Sequence, residues 1–235
     1  MNEKRATPSS STRDMLIRGR LAVRALFRPA GRLLSRLASL GTEGYPPDTQ
    51  RRLKIINMIS WLIIITTLLF AVQQALADWA RMKPLILMNL ALTVIALAVP
   101  FAHRISDIAG GLLIAVSELI ALLFFTAYLG RSAGTPLMYV TFSAAPFVVF
   151  GLRRLKLVVA VVVAALALHL VAWFNFHRSD ALLPMDDAFL DANYLQGAIT
   201  TFGLIAASVY YAFSLAERAK EETEKVLRNV LPGSV

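Results

Sequence analysis

Three carboxylates in this sequence have the residue type and the placement to bind a cation. Glu118 lies in the middle of an apolar stretch, where an ionised side chain would cost about 3 kcal/mol if the stretch crosses a membrane. Asp78 closes another apolar stretch, and Asp187 belongs to an acidic loop. Because oxygen ligands suit a hard divalent ion, we predict an acidic pocket formed by Glu118, Asp78 and Asp187. A protonated Glu118 that is hydrogen-bonded to a neighbouring helix is the equally weighted alternative.

A carboxyl group inside a membrane is expected to have a polar partner. The candidates on other apolar stretches are His169, Asn89, Thr93, Gln73, Gln74 and Asp78. We interpret His169 as a packed, hydrogen-bonded residue rather than a metal ligand. The sequence has no cysteine, which excludes disulfides and thiol chemistry in this chain.

Of the 235 residues, 57% are hydrophobic, which is too apolar for a single soluble domain. The polar residues named above must therefore be positioned by apolar helices. Six stretches approach the roughly 20 residues that a membrane crossing needs. They are Ile55–Leu76, Pro84–Ala102, Ile108–Tyr128, Leu137–Leu152, Leu157–Phe176 and Tyr194–Leu215. The fourth is short and contains Pro146, which predicts a kink or a re-entrant course. We therefore predict an all-α fold, a bundle of six transmembrane helices over residues 51–215.

The distribution of lysine and arginine predicts the orientation of this bundle. With the N-terminus inside, the inner segments are 1–54, 103–107, 153–156 and 216–235, and they hold most of the basic residues. The outer segments hold only Arg81, Lys83, Arg131 and Arg178. We therefore predict a multi-pass protein of the plasma (inner) membrane with both termini in the cytoplasm.

Residues 1–50 form a basic N-terminal arm, and residues 1–54 hold twelve Lys and Arg against four acidic residues. Arginine recurs every four residues from Arg20 to Arg36, which is typical of a helix lying in the headgroup layer. The arm is predicted to contact anionic lipid headgroups, or else it only fixes the orientation. Residues 1–14 and 41–50 are predicted to be disordered or linker. The arm does not have the pattern of a nucleic acid binding segment, because Phe27 is the one aromatic residue among its arginines.

The last predicted span continues into a charged helix, residues 216–235, with a narrow apolar seam. Its residues are spaced 4, 3, 4, 3, 4 and are Ala212, Ala216, Ala219, Thr223, Val226 and Val230. This spacing predicts a cytoplasmic coiled coil and a parallel homodimer. The alternative is an ordinary helix next to the membrane with no partner.

The end of this helix carries a resemblance to a known family. Val226-Leu227, Asn229, Leu231-Pro232, Ser234 and Val235 resemble the phrase that leads into the catalytic domain of membrane-bound class III adenylate cyclases of the mycobacterial six-span type. The resemblance implies a parent protein that converts ATP to cyclic AMP with Mg or Mn. It implies that this chain is the anchor, dimerisation and receptor-like regulatory module, for an unknown extracellular or lipid ligand. The catalytic groups of the family lie beyond Val235, so no catalytic or cofactor-binding residue is assigned here.

Two other functions remain open from the sequence. One is a small transporter or channel subunit that uses Glu118 and His169 in an ion path, although no inverted repeat is evident. The other is the sensor module of a histidine kinase or diguanylate cyclase.

Overall fold

The computed structural model describes residue 33 and residues 35–230, and in this part of the chain the secondary structure is entirely helical. The major α-helices are α1 (Pro47–Ala102), α2 (Ala109–Leu129), α3 (Ala145–Phe150), α4 (Leu155–Asn175) and α5 (Asp187–Val230). The 3-10 helices are Arg131–Ala133, Thr135–Ser143, Leu152–Arg154 and Arg178–Asp180. The arginines of the arm up to Arg32 and the Leu231–Val235 part of the family motif lie outside the described residues.

Helix α1 folds back on itself at Asp78. The backbone there is extended, with φ −164° and ψ 95°, and we name the two limbs α1a (47–77) and α1b (79–102). Three hydrogen bonds join the limbs: Thr67 to Thr93, Ser60 to Ala96 and Asn89 to Gln74. The first two predicted stretches are therefore an antiparallel hairpin. A single extended residue joins the two limbs, because the second helix resumes directly after Asp78.

The fourth predicted stretch is irregular, as Pro146 indicated. It consists of the 3-10 helix Thr135–Ser143 and the six-residue α3, with a break at Ala144 (φ −121°, ψ −42°). This 3-10 helix packs against α2, α4 and α5. Tyr139 is only 3% exposed, and its hydroxyl donates a hydrogen bond to the carbonyl of Leu119 at 3.0 Å. The least regular element thus lies at the centre of the bundle.

Four described helices are long and apolar enough to cross a membrane. They are α1, α2, the segment Leu152–Asn175 that contains α4, and the part Asp187–Ser214 of α5. Helix α1 has 56 residues, more than twice the roughly 20 that one crossing requires. Each of its limbs is therefore long enough to span by itself.

The bundle has two ends, which we name after the segments that meet there. At the arm end, Tyr45 bonds to His103 beside the loop 103–108, and Arg52 joins this loop to the segment 149–154. At the loop end, the backbone N–H of Arg131 donates to Phe176 at 2.9 Å, and that of Leu183 donates to Tyr128 at 2.8 Å. The long loop between α4 and α5 therefore lies across the end of α2.

Helix α5 runs for 44 residues without a break, a length of about 66 Å. Leu190 and Thr201 are buried against the bundle, whereas Phe202 and Tyr210 on other faces are each 76% exposed. Of the predicted seam, Ala212, Ala216 and Val226 are exposed in the single chain. A large apolar surface of α5 is thus free to meet lipid or another helix.

Candidate functional site

Glu118 lies on the core-facing side of α2. It shares a helical stripe with the buried residues Ala115 and Leu122, at spacings of three and four residues. Its side chain is half-buried, and within the described part of the chain no side-chain hydrogen bond or ion pair is formed by it. The expected partner of this carboxyl group is therefore absent among the described residues.

Asp78 has a structural role at the turn of α1. Its Oδ1 atom accepts a hydrogen bond from the backbone N–H of Arg81 at 3.0 Å. This is the geometry of an N-cap, which satisfies one of the free N–H groups in the first turn of α1b. The side chain is exposed, and Arg81 itself donates to the carbonyl of Pro184.

Asp187 begins α5 and forms an ion pair with Arg178. Both side chains are largely exposed, so the pair contributes little to stability. The neighbouring Asp186 caps the same helix, because its Oδ1 accepts a hydrogen bond from the backbone N–H of Phe189 at 2.8 Å.

Asp78 and Asp187 therefore have separate partners, and Glu118 has none among the described residues. Among residues 33 and 35–230, no three His, Asp or Glu side chains lie close enough together to hold a metal ion. The acidic pocket of Glu118, Asp78 and Asp187 stays a prediction, and forming it would require these groups to move.

The other polar residues of the spans pair among themselves. The Nδ1 atom of His169 lies 2.8 Å from the carbonyl oxygen of Pro136, and its ring meets the edge of Tyr139. This agrees with the structural interpretation of His169. Asn89 and Thr93 bond to Gln74 and Thr67 across the α1 hairpin, so they join the limbs of α1 instead of holding Glu118.

The strongest polar cluster lies at the arm end, where the sequence analysis assigned only orientation charges. Asp107 accepts hydrogen bonds from Arg52 at 2.5 Å and from Arg154 at 2.7 Å. Arg52 also donates to the carbonyl of Phe150 at 3.0 Å. One carboxylate thus joins the start of α1, the loop before α2 and the segment before α4.

The charges of this cluster change the acidity of Asp107. Partial burial by itself would raise the pKa of the Asp107 carboxyl, but hydrogen bonds from Arg154 and Arg52 and their positive charges outweigh it. The pKa of Asp107 is therefore lowered below its ordinary value, and the carboxylate stays ionised near neutral pH.

A second polar group, which we name the arm latch, lies beside the ion cluster. Asn57 is fully buried; its Nδ2 donates to the carbonyls of Ala38 at 2.8 Å and Leu40 at 2.7 Å. Its Oδ1 lies 3.0 Å from Nε2 of His103. The hydroxyl of Tyr45 donates to the backbone carbonyl of His103 at 2.6 Å. The arm latch therefore fixes residues 38–45 onto both limbs of α1.

His103 is enclosed on all sides. Its ring packs against Gly110, where a side chain would collide with it, and its Nδ1 atom has no hydrogen-bond partner among the described residues. Burial, together with the positive charge of Arg52, lowers the pKa of His103 to about 4. The residue is therefore neutral at physiological pH, with the proton on Nε2 where Asn57 accepts it.

The arm latch corrects the prediction that residues 41–50 are disordered or linker. Thr42 is only 2% exposed, and α1 begins at Pro47. Gly41 and Gly44 lie in turns, and Pro46 and Pro47 lie at the start of α1. Gly41 has φ +68°, and a side chain there would collide with the carbonyl of Pro100. Two residues in the sequence could have indicated this order. They are the aromatic Tyr45 and the amide Asn57, which lie on either side of a basic segment.

Comparison with known proteins gives the family of this bundle. A family model described as MASE7 matches residues 42–225, a range that contains Asp107, His103 and most of the arm latch. The chain belongs to the MASE7 family. This assignment describes a membrane-associated sensor domain, which agrees with the long apolar helices of the structure. No solved structure matches the chain significantly.

The chain is also similar to curated proteins named adenylate cyclase from Mycobacterium bovis and Mycobacterium tuberculosis. Each is 25% identical to it over 206 residues, which cover 83% of this chain and 45% of the relative. The chain thus spans less than half the length of the curated relatives that it matches. The resemblance noted in the sequence is thereby supported by a similarity that extends through the membrane region.

Proposed function

We propose that this chain is the membrane anchor and regulatory module of a class III adenylate cyclase. In this proposal α5 transmits a signal from the bundle to a catalytic domain that makes cyclic AMP from ATP. The observation that carries the proposal is the course of α5. The helix leaves the part that is apolar enough to cross a membrane, Asp187–Ser214, and continues unbroken to Val230. The MASE7 match and the similarity to mycobacterial adenylate cyclases support it.

In the proposed topology the chain crosses the membrane six times. The two limbs of α1, then α2, α4 and α5, supply five crossings. The 3-10 helix Thr135–Ser143 and α3 together supply the fourth in chain order, protected from lipid by the neighbouring helices that satisfy irregular backbone. The segments that meet at the arm end are the basic ones, which supports a cytoplasmic arm end and an outer loop end. The basic arm then contacts anionic headgroups of the inner leaflet.

Reporter fusions test this topology. A reporter that is active only in the cytoplasm should work when it is fused after Val235 and should be silent when it is inserted beside Asp187. The reverse pattern would overturn the proposed orientation.

Dimerisation is the second part of the proposal. Two copies would pair in parallel along Ala212, Ala216, Ala219, Thr223, Val226 and Val230. Because the sequence has no cysteine, single cysteines can be introduced without a competing thiol. Cysteines at Ala219 or Val226 should cross-link in membranes more readily than cysteines at Lys220 or Glu224. Equal cross-linking at all four positions would contradict the coiled coil.

Transmission is tested by a fusion. The catalytic domain of the Mycobacterium tuberculosis relative is joined after Val235, and cyclic AMP is measured in membranes. Inserting seven residues after Lys225 preserves the heptad phase and should retain activity. Inserting two residues rotates the following helix by about 200° and should change activity several-fold. The same activity in both insertions, and in the catalytic domain alone, would refute transmission through α5.

A further inference from the structure

A shallow groove runs along the outside of the bundle between α1b and α2, near the loop end. Its volume is about 450 Å³, and one long side is open. Its lining includes Lys83, Leu87, Met88 and Ala91 of α1b with Phe124 and Tyr128 of α2. The rings of Phe124 and Tyr128 stack with their centroids 4.5 Å apart, so they form one aromatic side of the groove. The small side chain of Ala91 leaves space in the groove between the two helices.

The groove is polar at one end only. Lys83 lies in the second turn of α1b, and Tyr128 is one residue from the end of α2, so both polar groups lie at the loop end. The residues deeper in the groove are all apolar. From Lys83 to Ala91 the helix rises about 12 Å, most of the roughly 15 Å that one leaflet contributes to the hydrocarbon core. A molecule with a charged head and one extended acyl chain matches this gradient.

Lys83 differs from the other basic residues of the loop end. Arg81 donates to the carbonyl of Pro184, Arg131 to the carbonyl of Trp173, and Arg178 pairs with Asp187. In the part of the chain that the structure describes, no hydrogen bond or ion pair is formed by Lys83. Its ammonium group is therefore an available positive charge at the depth of lipid headgroups.

We propose that this groove binds one anionic phospholipid, with its phosphate at Lys83 and Tyr128 and one acyl chain against Leu87, Ala91 and Phe124. The binding site requires only that α1b and α2 lie in the membrane. Its assignment to the outer leaflet rests on the topology given under the proposed function. A lipid bound here contacts both α1b and α2, so it would stabilise their present arrangement.

The experiment measures phospholipids retained by the full chain in native mass spectrometry after purification in a neutral detergent. Phosphatidylglycerol and phosphatidylcholine are supplied in equal amounts. The chain should retain one phosphatidylglycerol in preference to phosphatidylcholine. Lys83→Gln should weaken the binding of phosphatidylglycerol about fivefold, and Ala91→Phe, which fills the groove, should abolish the retention of both lipids.

Matched controls use the same substitutions elsewhere. Lys156→Gln removes an exposed lysine at the arm end, and Ala98→Phe adds a ring to an exposed position of α1b two turns below Ala91. Both should bind phosphatidylglycerol like the unchanged chain, and thermal melting of each variant confirms that it is folded.

Three results would overturn the proposal. They are equal retention of the two lipids by the unchanged chain, undiminished phosphatidylglycerol binding by Ala91→Phe, and displacement of the phospholipid by oleate at equal concentration. The last result would assign the groove to a free fatty acid. Failure here leaves the cyclic AMP and cross-linking results of the proposed function untouched, so the two can be distinguished.

Discussion

The two ends of the bundle use the same kinds of side chains in opposite ways. At the arm end, Arg52 and Asp107 form an ion pair whose side chains are 16% and 22% exposed. At the loop end, Arg178 and Asp187 are 53% and 75% exposed. Breaking a mostly buried pair leaves an uncompensated charge, whereas an exposed pair contributes about 0–1 kcal/mol. The comparison indicates that the ion pair at the arm end contributes more to stability than the ion pair at the loop end.

The largest effect should come from breaking the arm latch. Asn57→Ala removes the donor to Ala38 and Leu40 and the acceptor for His103, and it should lower the free energy of unfolding by about 3–5 kcal/mol. Unfolding in mixed micelles measures this change. Asn175→Ala is the control, because Asn175 bonds only within its own helix and is exposed; its effect should be below about 0.5 kcal/mol. If Asn57→Ala and Asn175→Ala lower the free energy of unfolding by similar amounts, the arm latch is not a special source of stability.

The pH dependence of stability should come in part from His103. Its pKa is about 4 in the folded chain against an ordinary 6.5, so the unfolded chain binds the proton more readily. The contribution is complete above pH 6.5 and is lost as the pH falls from 6.5 to about 4. This loss should amount to about 2–3 kcal/mol.

His103→Gln should flatten this part of the stability profile, measured by unfolding at a series of pH values. His177→Gln, which replaces an exposed histidine at the loop end, is the matched control. A His103→Gln profile identical to that of the unchanged chain would show that His103 is not the titrating group.

The ion pairs can be compared by one substitution at each end. Asp107→Asn leaves Arg52 and Arg154 without their carboxylate and should lower the free energy of unfolding by about 2 kcal/mol. Asp187→Asn should lower it by less than about 0.5 kcal/mol. Because the pKa of Asp107 is lowered from its ordinary 3.8, its contribution is present above that pH and is lost as the pH falls through the lowered pKa. Equal losses in the two variants at neutral pH would contradict the comparison.

The smallest expected effect concerns a cation at Glu118. If Glu118, Asp78 and Asp187 come together around a divalent ion, the ion should raise the free energy of unfolding by about 1.4 kcal/mol at roughly ten times its dissociation constant. Glu118→Gln should abolish this response, and Asp78→Asn and Asp187→Asn should weaken it less. If Glu118→Gln keeps the same response to the ion, Glu118 is not a ligand of the ion, and the alternative of a protonated side chain is favoured.

Hydropathy and composition predicted the parts of the fold that depend on local sequence. The apolar stretches became the limbs of α1 and the helices α2, α4 and α5, and Pro146 marked the irregular segment. Side-chain partners could not be predicted, because they depend on how helices are rotated against each other. Asn89 and Thr93, for example, were candidate partners of Glu118, but the rotation of α1b turns them toward α1a. Tyr45 meets His103, 58 residues away in the chain, and no local pattern indicates a contact of that range.

The reversal at Asp78 bears on how the chain enters a membrane during synthesis. In the proposed topology both limbs of α1 cross the membrane, and a single extended residue joins them. They would then insert together, and Thr67 and Thr93 could bond to each other as they do so. Each hydroxyl can also donate to a carbonyl of its own limb, Thr67 to Ile63 and Thr93 to Asn89, so neither faces hydrocarbon without a partner. The first two of the six proposed crossings would thus be paired before the other helices pack against them.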